Sequence, residues 1–246
     1  MIRRVLRQVA TSTDLIERNV MIGPLCNRES WRILAVSIAA GAAIAPARAD
    51  IIVTDGVEPW HICAACHSLD GISAMPRFPK LAGQRAAYIE KQVRDFREGR
   101  RTNDGGQMGA SASDIDDGFL AKTAAYFASL PPPPADASLQ DASSQTDGAK
   151  WRRGAALFQD GDTAAGIPPC RTCHDNVAAA EPPGPFLTSQ HAPYLAKQLR
   201  DWRAGARANS AEMPMIAAKL SDQDIDGLAA FLASKPRTQT SGTTTQ

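Results

Sequence analysis

Three things are scarce in this sequence: aromatic side chains, an excess of either charge, and apolar runs long enough to cross a bilayer. Only 6% of its 246 residues are aromatic, and 27 Lys and Arg stand against 26 Asp and Glu, a formal charge of +1. A near-neutral chain offers no electrostatic case for nucleic-acid binding, which needs clustered cations to neutralise phosphates. No stretch approaches the roughly 20 consecutive apolar residues that span a bilayer comfortably. Five cysteines are too few for a disulfide-built miniprotein. With 43% hydrophobic and 22% charged residues, the chain is not a disordered tail either.

What is present begins with a segment built for removal. Residues 33–47 carry no charge; Arg28 and Arg32 precede them, and Ala47-Arg48-Ala49 follows as an A-x-A site. A positive flank, a short apolar core and a small-residue cleavage site make up a secretory signal peptide, so residues 1–49 are expected to be cleaved and the mature chain to be exported to the periplasm. An uncleaved segment would instead tie the protein to the membrane. Met21 is an alternative start, which would place residues 1–20 upstream of the true chain. Cleavage discards Cys26 and leaves 20 basic against 23 acidic residues, so the mature chain is acidic.

The mature sequence repeats itself at an offset of about 106. Tyr88, Lys91, Gln92, Arg94, Asp95, Arg97, Gly99, Arg101 and Asn103 recur as Tyr194, Lys197, Gln198, Arg200, Asp201, Arg203, Gly205, Arg207 and Asn209, and Phe96 is matched by Trp202. Between the copies lies Pro131–Pro134 followed by an Ala/Ser/Asp/Gln stretch, the composition of a semi-rigid and then flexible connector. The organisation read from this is a domain at 50–131, a linker at 132–147, a second domain at 148–236 and a disordered tail at 237–246. Both domains read as all-α. Tyr88, Gln92, Val93 and Phe96 share a helical face that should end at Gly99, with the same plan ending at Gly205. A later helix in each half is expected to be capped by Asp116 and by Ser221 with Asp224. Aromatic residues alone cannot fill such cores.

The missing filling is announced by Cys63-Ala64-Ala65-Cys66-His67 and Cys170-Arg171-Thr172-Cys173-His174. C-x-x-C-H is the attachment signature of c-type haem. Thiols one helical turn apart can form thioethers with the two vinyl groups of one porphyrin, and the adjoining His supplies an axial nitrogen to iron. A thioredoxin-like pair needs a βαβ context that is lacking here, and a zinc ribbon needs pairs some 15–20 residues apart. The expected cofactors are therefore two covalently bound haem c groups. The sixth iron ligand separates an electron carrier from a catalyst or gas binder. Registering the closing helices aligns Met108 with Met213, seven residues before Ile115 and Leu220; Met215 is the rival, and Met75 is expected to pack against the porphyrin. A metal-bound His needs an acceptor for its second nitrogen, and Pro79 and Pro185, 12 and 11 residues beyond His67 and His174, are candidates. His61 and His191, without repeat partners, read as surface or cap residues. Arg101/Asn103 and Arg207/Asn209 read as propionate partners, braces of the Met loops, or solvated surface.

The two C-x-x-C-H motifs, Pro79-Lys80-Leu81-Ala82-Gly83-Gln84, the Arg-x-Asn before each Met and Leu220-Ser221-Asp222 before a short helix together resemble the dihaem cytochrome c4 family. The resemblance covers both halves of the mature chain. It implies two tandem class I cytochrome c domains packed face to face, periplasmic location, and axial pairs at His67/Met108 and His174/Met213, with electrons passed toward a terminal haem–copper oxidase. It also implies that a proline such as Pro79 accepts the histidine hydrogen bond. Two departures stand out. The first domain starts only 13 residues before Cys63, so the usual N-terminal helix is shortened or missing there, whereas Trp151–Phe158 retains it in the second. The long proline-rich linker weighs against close packing of the halves. The expected role is an electron carrier rather than an enzyme, with a quinol–cytochrome c reductase, a terminal oxidase or a periplasmic dehydrogenase as redox partners. The competing readings are the cytochrome subunit of such a dehydrogenase, and a dihaem peroxidase or thiosulfate-oxidising enzyme. The aligned methionines argue against an enzyme.

Overall fold

The computed structural model describes residues 58–139, 148–175 and 184–237. The apolar segment with its A-x-A site, the start of the first half, part of the linker and the tail beyond Arg237 lie outside the described residues. Among these residues there are nine helices and no strand; a lone bridge pairs Asp162 with Ile167.

The first half contains α1 (Trp60–His67), α2 (Ala86–Arg97), α3 (Gln107–Ser113) and α4 (Asp117–Ser129). The second contains α5 (Gly148–Gln159), α6 (Arg171–His174), α7 (Ala192–Arg203), α8 (Met213–Ala217) and α9 (Asp222–Ser234). Helix α2 buries Ile89, Val93 and Phe96, spaced i, i+4, i+7, and α7 buries Leu195, Gln198 and Trp202 on the same plan. Each ends just before a glycine at positive φ, Gly99 at 71° and Gly205 at 73°, a conformation that costs glycine nothing. Asp116 caps α4 by accepting a 2.7 Å hydrogen bond from the Phe119 N–H. At α9 the cap is reciprocal: Ser221 Oγ accepts from the Asp224 N–H and Asp224 accepts from the Ser221 N–H. Each cap satisfies N–H groups that the first helical turn leaves open, worth about 1 kcal/mol.

The halves close their cores differently. In the second, α5 crosses α9 with backbones in contact. A Cβ on Gly154 would lie 2.2 Å from the Gly227 carbonyl, and one on Gly227 would lie 2.3 Å from the Lys150 oxygen. Trp151 and Phe158 pack on Phe231 with ring centroids 5.2 and 5.7 Å apart, and the Trp151 indole N–H donates to Ser234 Oγ at 3.0 Å. One apolar cluster then runs from Leu157 through Leu195 to Leu232. In the first half the position matching Gly227 is Lys122, which is exposed. Here α4 is met by α1, through Trp60 stacked on Tyr126 at 4.3 Å, and the apolar residues form two smaller clusters, around Phe96 and around Phe127.

The proline-rich linker does not hold the halves apart, contrary to the expectation from its composition. It is laid on the second half, where the Asp136 N–H donates to the Ala233 carbonyl at 2.9 Å. Lengthening a connector costs only a logarithmic entropy penalty. The interface itself, described below, sets the packing.

Candidate functional site

Helix α1 carries the first C-x-x-C-H motif through to its last residue, so Cys63 and Cys66 lie one turn apart and His67 ends the helix, buried. In the second half the turn from Cys170 to His174 does the same in a shorter helix. None of the four cysteines among the described residues is in a disulfide; Cys63 and Cys170 are partly buried and Cys66 and Cys173 exposed. Burial, with a smaller push from Cys66, raises the Cys63 thiol to about 11. Burial likewise raises Cys170 to about 11, against a small opposing effect of its own backbone N–H.

Both histidines are oriented identically. His67 Nδ1 lies 2.9 Å from the Pro79 carbonyl oxygen and His174 Nδ1 lies 2.9 Å from that of Pro185. A carbonyl can only accept, so each Nδ1 carries the proton and each Nε2 keeps its lone pair. Burial depresses both imidazoles below the usual histidine range, outweighing the carbonyl contact, and keeps them neutral. Gly184 makes room for the second ring, since a Cβ there would sit 2.8 Å from His174 Cε1 and Nδ1. Two neutral imidazoles with a committed Nδ1 are poised metal ligands.

A cavity of about 990 Å³ connects the two motifs. Its wall includes Cys63, Cys66, His67 and Met108 from the first half and Cys170, Cys173, His174 and Met213 from the second. Met215 points away and is 63% exposed. Met75 is 49% exposed and does not line the cavity, so the expectation that it packs against a porphyrin is corrected; it sits in the exposed loop before Pro76, outside the first core. The residues present fit a bulky, largely apolar, metal-bearing group. The wall holds Phe78, Ile89, Val93 and Leu120, and Thr123 Oγ1 on this wall is buried without a hydrogen-bond partner among the described residues.

The two halves meet through a network with near two-fold symmetry. Arg101 donates to Gln92 in its own half at 2.7 Å and crosses to Gln198 at 3.0 Å and Tyr194 Oη at 3.2 Å. Arg207 mirrors it, donating to Gln198 at 2.8 Å and crossing to Gln92 at 2.9 Å and Tyr88 Oη at 3.3 Å. Asn103 donates to Asp201 and Asn209 to Asp95, at 2.5 and 2.6 Å, and Lys91 and Lys197 reach the Asn209 and Asn103 carbonyls. Arg101 and Arg207 also lie over Phe96 and Trp202. The reading of these arginines as solvated surface is therefore corrected: they are 6% and 5% exposed and tie the halves together. Their partners are the repeated Tyr, Gln and Asp residues, so the repeat is densest where the copies touch.

Three more residues cross the interface in a way the sequence reading did not anticipate. His191 takes the cap position of α7, one of the two roles read for it, and its ring also reaches the first half, with Nε2 2.9 Å from the Ser73 carbonyl oxygen. Gln84 and Gln190 each grip the other half's backbone, Gln84 at Phe186 and Gln190 at Lys80. The available signal was the recurrence of Gln at the repeat offset, together with Pro79/Pro185 and Leu81/Leu187 in the same loops. His61 is exposed beside Trp60.

A family model described as cytochrome C oxidase, cbb3-type, subunit III matches residues 149–232. The chain is 40% identical over 176 residues to cytochrome c4 of Pseudomonas aeruginosa, an alignment covering 70% of this chain and 82% of that one. It is 35% identical over 185 residues to the thiosulfate dehydrogenase electron acceptor of Stutzerimonas stutzeri strain A1501, covering 72% and 81%. The crystal structure of reduced recombinant cytochrome c4 from Pseudomonas stutzeri superposes with a TM-score of 0.59 at 34% identity, covering 71% of this chain and 93% of that one.

Proposed function

The chain belongs to the cytochrome c4 family, and from that premise we propose that it works in the periplasm as a two-centre electron carrier between respiratory redox proteins. Its fold is that of tandem class I cytochrome c domains, and its cofactors are two covalently bound haem c groups. Cys63 and Cys66 would hold one by thioether bonds and Cys170 and Cys173 the other, with His67 and Met108, and His174 and Met213, as the residues that would ligate the irons. The observation carrying this reading is the pair of matched sites on one cavity, each with a C-x-x-C-H turn, a neutral imidazole fixed by a proline carbonyl, and a methionine in the wall. When bound, each haem supplies a one-electron couple at its iron. The chain's part is to exclude water, orient the imidazoles and fill both axial positions, which suits a carrier and not a peroxidase. Export rests on the residues that precede Asp50, read above as a cleaved signal.

The electrons are passed toward a terminal haem–copper oxidase. A second reading, acceptance of electrons from a periplasmic dehydrogenase, is favoured by the similarity to a thiosulfate dehydrogenase electron acceptor. Optical and EPR redox titration of the purified protein tests the core proposal. Two low-spin centres with the far-red charge-transfer band of methionine–ferric ligation are expected; a high-spin centre, or peroxide turnover, would overturn it. Stopped-flow mixing with a purified terminal oxidase and with a thiosulfate dehydrogenase ranks the two partners by rate.

A further inference from the structure

The side chains of Gln84 and Gln190 are 4% and 5% exposed and make the same contacts across the interface. Gln84 Oε1 accepts from the Phe186 N–H at 3.0 Å, and its Nε2 donates to the Phe186 carbonyl at 3.0 Å. Gln190 Oε1 accepts from the Lys80 N–H at 2.9 Å and Nε2 donates to the Lys80 carbonyl at 2.9 Å. Each Oε1 also accepts from the next N–H in its own chain, Arg85 at 3.0 Å and His191 at 3.1 Å. Oxygen thus faces two donors and nitrogen a carbonyl, which fixes the amide orientation.

The gripped N–H groups share peptide planes with the histidine acceptors. The Phe186 N–H belongs to the plane whose other edge is the Pro185 carbonyl, and the Lys80 N–H to that of the Pro79 carbonyl. A peptide unit is rigid, so holding its N–H fixes where its C=O points. A hydrogen bond to the N–H also polarises the unit and strengthens the carbonyl as an acceptor. The chain Gln84–peptide–His174 therefore runs from the first half into the second site, and Gln190–peptide–His67 runs the opposite way.

We propose that Gln84 and Gln190 are reciprocal positioning residues, each setting the hydrogen bond of the axial histidine in the other half. The proposal rests on the haem-ligand reading above. Each half thereby tunes its neighbour's ligand basicity, because the Nδ1–H bond raises the electron donation of the ring. Docking or loosening of one half would be felt at the iron of the other.

The test uses the purified holoprotein, with NMR signals of each centre assigned from Met108→Ala and Met213→Ala. In Gln84→Ala the His174 Nδ1–H should exchange about fivefold faster, the factor matching one ordinary hydrogen bond. The midpoint potential of that centre should move positive, while the His67 centre stays put. Gln190→Ala should give the mirror image. Lys122→Gln, exposed on α4 and outside the cavity wall, should leave both centres unchanged. A shift in the variant's own half, equal shifts in both, or no shift in folded Gln84→Ala and Gln190→Ala would overturn the proposal. A wild-type protein without two His/Met centres would instead overturn the haem-ligand reading.

Discussion

The two halves follow one helical plan yet keep their closing helices in place by different means. In the second, α9 is crossed by α5 at a glycine–glycine contact and locked by Trp151 and Phe158 on Phe231. In the first, the equivalent helix carries Lys122 at the crossing position and, among the described residues, packs on α2 and on α1, the latter through Trp60 on Tyr126. The lysine is informative by itself: a helix could not approach α4 there as α5 approaches α9. The interface, by contrast, serves both halves alike: each arginine binds the glutamine of its own half and the glutamine and tyrosine of the other. The two copies thus differ in how they close their cores and agree in how they meet.

Breaking the glycine crossing should give the largest effect. Gly227→Val drives a side chain into the α5 backbone and should cost about 3 kcal/mol or more, whereas Lys122→Val on the open face should change stability by less than about 0.5 kcal/mol. Denaturant unfolding of both variants measures the contrast, and equal costs would refute the difference in core closure. Next come the buried arginines. Arg101→Met and Arg207→Met should each lose about 2–3 kcal/mol, because each strands polar partners in both halves. The two losses should agree to within about 1 kcal/mol, as their near-symmetric bonding demands. A large loss for one alone would show that the interface is not reciprocal. The smallest contrast lies in the caps. Ser221→Ala removes a reciprocal capping box and should cost about 1 kcal/mol, Asp116→Ala slightly less because its cap is one-sided.

Much of this was legible in residue patterns. The glycines after α2 and α7, the caps of α4 and α9 and the two C-x-x-C-H turns are local signals, each fixed by a few neighbouring residues. The preference for Met213 over Met215 came from register alone, and the structure puts the first on the cavity and the second in solvent. What escaped was long-range. Arg101 and Arg207 look like surface residues because a sequence does not show that a second copy will cover them. His191 and the two glutamines were hidden for the same reason, since their partners lie about 100 residues away in the other half. The linker misled because proline content reports local stiffness, while the packing of the halves is decided by buried polar complementarity.

The central claim is that the two sites are matched His/Met centres, and the far-red charge-transfer band of the fully oxidised protein tests it most directly. Met108→Ala and Met213→Ala should each remove half of the band, the double variant all of it, and Met215→Ala none. A band that survives intact in Met213→Ala, or that falls by half in Met215→Ala, would contradict the account.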